Sequence, residues 1–372
     1  MKVNWVQVMF LYLSVRIAFD LVNVLPISAA PTPNRDVWLS PVLAVPVAWA
    51  VGAVVVKLGR FLPGETLIQH SRTLFGPVIG FVVALLYLWW FVFFAAVGLR
   101  VSTDFFLSSF MIYTPVSVLM ISVMLPAVIA ARRGLSTIAL ANQVMGPAIL
   151  VLVWLIILLS ANRLHPANLT PVLAGGMRNL LANSLTPMAI FSDIVNLGMI
   201  IPYMSKSSDA GKVVKWGIPI SAFHVAAITA VALASLGVES AALSEYPGLT
   251  VARRIQVGEF IQRVEPALMA VWLGGVFVQV ALNLLWAAQA VTQGCGLGRY
   301  EVAVLPLAVI IVTVAFMLGE NNLEYTVLFH PRFMGPFSAV FVLVIPLTLL
   351  FVAYAKKAEP KLPVPQESVC ER

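Results

Sequence analysis

Charge is what this sequence lacks. Acidic and basic side chains make up 10% of its 372 residues, while 60% are hydrophobic, and the mean hydropathy is +0.96. A soluble domain carries roughly a quarter charged residues. A globule this apolar cannot keep its surface wet, so soluble enzymes and soluble nucleic-acid binders are excluded. Cysteine and histidine are scarce as well, with two and four copies. That rules out a disulfide framework, and two isolated thiols make no metal site. Metalloprotease, phosphate-loop and nucleophile-elbow motifs are also missing. No arrangement of groups demands covalent catalysis, so the chain is not expected to be an enzyme, and no cofactor is implied.

What the sequence does have is long apolar runs. A membrane helix needs about 20 mostly apolar residues, and eight stretches of at least 18 residues contain no Asp, Glu, Lys or Arg. Two further apolar segments qualify if a charge is tolerated inside: one holds Arg16 and Asp20, the other Asp193. The expectation is an all-α polytopic membrane protein with ten spans, at about 5–27, 37–58, 77–100, 111–131, 138–160, 184–204, 213–236, 266–292, 301–318 and 336–355. Residues 1–355 would form one transmembrane domain and 356–372 a polar tail. A β-barrel would instead show alternating segments of about 10 residues.

Ten spans put both termini on one side. With the termini inside, the inner segments hold 14 basic residues and the outer loops 8. Basic excess marks the cytoplasmic face, so both termini are expected there. The net charge of +7 is then mostly a topology signal. A nucleic-acid footprint would need a clustered basic stripe, which is not seen. Lys2 and the small residues Ser28-Ala29-Ala30 imitate a cleavable leader, but Arg16 and Asp20 interrupt its apolar region. The segment reads as a retained helix. Cys295 and Cys370 both fall on the inner side, where a disulfide is not expected.

A charge inside a span costs about 3 kcal/mol on insertion scales and usually faces a cavity or a partner. Read as two sets of five, the charged spans, one and six, are equivalent members of the two halves. Interrupted segments at matching positions point to a transporter-type binding site at the midplane. Arg16 and Asp20 are four apart, so on an intact helix they share a face. Span six carries Pro187, Ser192, Asp193, Asn196, Gly198 and Pro202. Backbone groups freed by proline and glycine survive in lipid only beside protein or a water-filled cavity. Exposed N–H groups hold a carboxylate and freed carbonyls with Asp193 hold an ammonium, a chemistry suited to a zwitterion such as an amino acid. Two readings stand side by side: a ligand pocket, or a structural ion network locking spans one and six. The candidate pocket residues are Arg16, Ala18, Asp20, Tyr87, Ser192, Asp193, Asn196 and Asn283.

Weaker signals accompany these. Gln279, Asn283 and Gln289 in span eight read first as inter-helix bridges, and Trp89, Trp90 and His224 as packing. Gly294-Cys295-Gly296-Leu297-Gly298 reads as a helix stop, and Asn168-Leu169-Thr170 as an accidental glycosylation match. Residues 250–265 have apolar positions near one helical face, with Arg253, Arg254, Glu259 and Arg263 elsewhere. They predict an amphipathic helix on the outer surface, either a solvated cap or a docking element.

This outer stretch carries a resemblance. Tyr246-Pro247, Arg253, Ile255, Phe260, Arg263, Glu265 and Trp272 resemble the aromatic-Pro…Arg-x-Ile…Phe-x-x-Arg-x-Glu…Trp pattern of spore germinant receptor B subunits. Gln7, Pro26, Asp36-x-Trp38, Thr114-Pro115 and Asn168-Leu169-x-Pro171-Val172-Leu173 with Gly175 or Gly176 fall in the same order over essentially the whole chain. The resemblance implies the amino acid–polyamine–organocation superfamily and a LeuT-like five-plus-five inverted repeat with discontinuous helices one and six. It implies a germinant, often an amino acid, held between those helices, and a place in the inner membrane of spores with a larger A subunit and a lipoprotein C subunit. Arg16-Ile17-Ala18-Phe19-Asp20 departs from the glycine-containing break of such folds. Residues 266–291 hold no Ser or Thr, so sodium coupling is not supported. An amino acid permease and an ion- or water-conducting scaffold subunit are the rival expectations.

Overall fold

The computed structural model describes residues 2–255, 264–319 and 327–356. Among these, nine helices are long and apolar enough to cross a membrane. They are α1 (Trp5–Asn23), α2 (Val37–Phe61), α3 (Pro77–Ser109), α4 (Val116–Arg133), α5 (Leu135–Leu159), α6 (Gly176–Tyr203), α7 (Ser207–Leu236), α8 (Glu265–Cys295) and α10 (Pro331–Ala355). The remaining apolar span is the shorter α9 (Glu301–Met317) of 17 residues. Large apolar side chains such as Val78, Val144, Leu158 and Phe351 lie uncovered on the bundle's rim. In water these would be a liability; against acyl chains they cost nothing.

The core runs down the middle of the bundle. α8 packs along α3 and against α1, while α1 also packs on α5. Glycines permit the closest approaches. A Cβ on Gly275 of α8 would collide with that of Ala18 and lie 2.9 Å from the Ser14 carbonyl oxygen on α1.

The two charged spans break differently. α1 is continuous through Arg16 and Asp20, because no glycine or proline intervenes between Trp5 and Asn23. It stops at Val24, in the left-handed region at φ 44°, just before Pro26, so the interruption in the first span lies at its end and not beside Arg16. α6 is discontinuous near its middle. A helical part, Gly176–Phe191, gives way to a 3-10 stretch, Ser192–Asn196, then one helical turn, Leu197–Ile200, and a final 3-10 turn. Pro187 in the helical part and Pro202 beyond it remove backbone donors, and Asp193 sits in the tightened segment.

Charge is not confined to those two spans. α3 runs for 33 residues and carries Arg100 and Asp104, both buried, with Arg100 Nε donating to Asp104 Oδ2 at 2.9 Å. Thirty-three residues span about 50 Å against a hydrocarbon core of about 30 Å, so the pair sits near the helix end. Ending the third span at residue 100 truncates it, because the i,i+4 pair lets the helix continue past its first charge.

The segment between α7 and α8 also differs from expectation. Its helical part, Pro247–Arg253, is buried at Pro247, Gly248, Leu249, Val251 and Ala252. Gly248 abuts the Leu21 carbonyl of α1 so closely that a Cβ has no room. This helix is wedged into the bundle instead of lying on its surface. Residues 256–263, including Glu259, Phe260 and Arg263, and the tail from 357, including Cys370, lie outside the described residues.

Two ties hold the ends of the bundle. On one side the chain start is stitched to the end of α6: Val3 N–H donates to the Tyr203 carbonyl at 3.0 Å, and Ser205 N–H to the Val3 carbonyl at 2.7 Å. On the other, the buried Asp36 accepts the backbone N–H of Leu173 at 2.6 Å and of Gly175 at 3.2 Å. Arg35 donates to the Thr170 carbonyl. The loop before α2 is thereby fastened to the loop before α6.

Candidate functional site

A small cavity of about 60 Å³ lies where α1, α3, α6 and α8 meet. Its polar lining comes from Tyr12 and Arg16 of α1, Asp193 and Asn196 of α6, and Gln279 and Asn283 of α8. Arg16 Nε stands 3.1 Å from Asp193 Oδ2, with both side chains largely buried. The pair is close enough for strong attraction, yet neither group is saturated. Arg16 Nη1 and Asp193 Oδ1 are buried without a hydrogen-bond partner, and the Arg16 Nε–H itself is not aimed along a hydrogen bond. Buried polar atoms normally find partners, so these two donors and one acceptor stand out as lacking one.

The surrounding groups fix the pair's position. Tyr12 donates to the Phe191 carbonyl at 3.2 Å, capping a carbonyl where α6 leaves helical geometry. Asn196 Oδ1 accepts from Trp90 Nε1 at 3.3 Å. Gln279 Nε2 reaches the Phe94 carbonyl at 3.4 Å, and Asn283 Nδ2 donates to the Gln279 carbonyl at 2.9 Å. Phe94, Trp286, Leu282 and Ile194 supply the apolar walls. Such walls lower the local dielectric and strengthen each charge–charge contact inside.

Four of the sequence candidates meet here: Arg16, Asp193, Asn196 and Asn283. Four do not line the cavity. Ala18 packs against Gly275, Asp20 is buried one turn further along α1, Tyr87 donates to the Phe341 carbonyl at 2.7 Å, and Ser192 turns back to the Met188 carbonyl at 2.6 Å. Sequence reasoning missed Tyr12 and Trp286, and set Gln279 aside as packing. Helical spacing would have found them, since Tyr12 precedes Arg16 by four residues, Gln279 precedes Asn283 by four, and Trp286 follows it by three.

The motif residues of the outer segment form a different cluster. Tyr246, Pro247 and Trp272 are buried. Phe105 meets Trp272 edge-on at 4.2 Å between centroids and Tyr246 at 5.1 Å. Arg253 is exposed and reaches the Ser109 carbonyl at 3.5 Å, while Glu265 begins α8. Arg263 lies outside the described residues. Elsewhere, His224 donates from Nδ1 to the Ile220 carbonyl and accepts from Trp154 at 3.1 Å, which places it in packing.

Comparisons with known proteins now bear on the whole. A family model described as "Spore germination protein" matches residues 2–323. Spore germination protein KB of Bacillus subtilis (strain 168) is 25% identical over 272 residues, covering 72% of this chain and 73% of that protein. Spore germination protein YndE of the same organism is 24% identical over 297 residues, covering 78% and 81%. Among solved structures, MhsT in complex with L-phenylalanine superposes with a TM-score of 0.62 at 13% identity, covering 95% of this chain and 100% of that one. MHP1, a nucleobase-cation-symport-1 family transporter in a closed conformation with bromovinylhydantoin bound, gives 0.62 at 14% identity, covering 92% and 77%. The fold is that of LeuT-type transporters.

Proposed function

The chain belongs to the spore germination protein family, and from that premise we propose that it is the transporter-like membrane subunit of a spore germinant receptor, holding a small zwitterionic germinant in the α1–α6–α8 cavity. The observation that carries this reading is the unsaturated Arg16–Asp193 pair in a small cavity between the helices. A ligand carboxylate fits the open face of the Arg16 guanidinium. A ligand ammonium pairs in this reading with Asp193 Oδ1, in a cavity that Asn196, Gln279 and Asn283 also line. About 60 Å³ holds only a few waters, so a glycine- or alanine-sized ligand fits this arrangement, and a larger one requires the bundle to open.

Binding shifts the bundle only by the ligand's differential affinity for its arrangements. In this reading the bias passes to an A-type subunit and a lipoprotein C-type subunit in the spore inner membrane, with both termini on the core side. Arg253, Arg263 and Glu265 are the residues through which the outer segment would reach a partner.

The test is a thermal shift of the purified chain across the natural amino acids, for wild type and Asp193→Asn. Saturation at about 100 times Kd stabilises the folded chain by about 2.7 kcal/mol. The reading predicts a shift for one or a few small amino acids that Asp193→Asn abolishes. No shift with any of them defeats it.

The fold also favours a second reading, since its structural neighbours are transporters and one holds L-phenylalanine. Uptake of labelled amino acid by vesicles containing only this chain would mark a permease working by alternating access. Ion flux without any amino acid response would mark a conducting scaffold.

A further inference from the structure

The seam between α2 and α7 carries a feature that the central cavity does not explain. A groove of about 480 Å³ opens there on the basic face of the bundle. Its mouth is lined by Lys57 and Arg60 of α2 and Lys215 of α7, and its floor by Trp49, Val56 and Val214. All three cations are exposed, and among the described residues none forms an ion pair with a carboxylate. The neighbouring Asp209 is already engaged by Lys212 at 2.9 Å. Lys57 instead lies over the Tyr354 ring of α10, 4.8 Å from its centroid.

The groove has depth as well as charge. Arg60 lies in the last turn of α2, and Trp49 eleven positions earlier, about 16 Å further into the bilayer at 1.5 Å per residue. Immediately beyond Trp49 the same two helices form a second open groove of about 490 Å³, lined by apolar residues such as Val42, Pro46 and Phe223. α7 is irregular at this point. Val213–Gly217 form a π-helical turn, whose Val214 carbonyl accepts from Trp49 Nε1 at 3.1 Å. Such single-turn bulges cluster at functional sites.

We propose that this seam binds an anionic phospholipid. The phosphodiester sits among Lys57, Arg60 and Lys215, and an acyl chain follows the trough past Trp49 toward Pro46. Basic pockets between spanning helices suit anionic headgroups, and each cation near the membrane surface is worth about a fivefold change in binding. A free phosphate would use the mouth alone and leave the apolar trough without a role; a lipid uses both.

The test measures lipid retention by native mass spectrometry of the full chain, purified in uncharged detergent and exposed to phosphatidylglycerol or phosphatidylcholine. Phosphatidylglycerol is expected to be retained over phosphatidylcholine. Combined Lys57→Gln, Arg60→Gln and Lys215→Gln should lower that retention by roughly a hundredfold. Arg132→Gln, Arg133→Gln and Arg299→Gln remove equal charge from exposed positions elsewhere and should change it less than twofold. Should the first triple variant fail to fold, Ala53→Trp fills the trough with every cation kept, and is expected to lose the lipid as well. Equal loss in both triple variants, unchanged retention in the first triple variant or in Ala53→Trp, or displacement of the lipid by millimolar inorganic phosphate overturns the proposal.

Discussion

At the scale of single residues, the Arg16–Asp193 pair separates a ligand site from a structural lock. Removing one member of a buried pair strands the other and costs about 3–5 kcal/mol, whereas removing both is often neutral. Asp193→Asn should therefore lower the melting temperature in detergent, and Arg16→Gln with Asp193→Asn should recover most of it. Recovery of stability without recovery of ligand response identifies a site, while recovery of both identifies a lock. His70 gives a separate pH signal. It lies outside the spans, on the connecting helix Leu67–Phe75. Burial holds its imidazole below the ordinary value, against the opposing pull of the Leu62 carbonyl and of Glu65. The neutral form is favoured in the folded state, so its contribution is fully present above about pH 6.5 and is lost as pH falls through the lower folded value. Melting across pH 5–8 should show this acid-side loss, and His70→Gln should flatten it.

At the scale of elements, hydropathy marked the spans because lipid punishes each charge separately. The single aspartate flanked by prolines in span six likewise marked a broken helix, and α6 departs from helical geometry at Ser192–Asn196. What a count of charge-free runs overlooks is pairing along one helix, which the spacing of four residues carries. Arg100 looks like a loop boundary until Asp104 is known to neutralise it inside α3. Residues 250–265 read as an amphipathic surface helix, yet the described helix Pro247–Arg253 is buried, with Gly248 letting α1 pass. The same blindness hid Tyr12 and Gln279, whose polarity matters only beside Arg16 and Asn283. Two substitutions test the element contacts. Asp36→Ala takes the charged acceptor from two partly buried N–H groups, each such hydrogen bond being worth about 1.5–3 kcal/mol, and should speed protease cleavage between residues 160 and 175. Gly275→Ala overpacks α1 against α8, costing about 1–3 kcal/mol, visible as a lower melting temperature; an unchanged value would show that the helices part freely.

At the scale of the whole molecule, a family of spore germination proteins shares its bundle with transporters, and the difference between sensing and moving a solute lies in which parts can shift independently. The main-chain bonds joining Val3 to Tyr203 and Ser205 bear directly on this. They make the near ends of α1 and α6 a single mechanical part, a yoke. α1 cannot swing outward alone as a gate: it must either carry the end of α6 with it or rupture two backbone bonds first. While those two bonds hold, a displacement of either helix end carries the other with it, a crank with one stroke instead of two doors opening in turn.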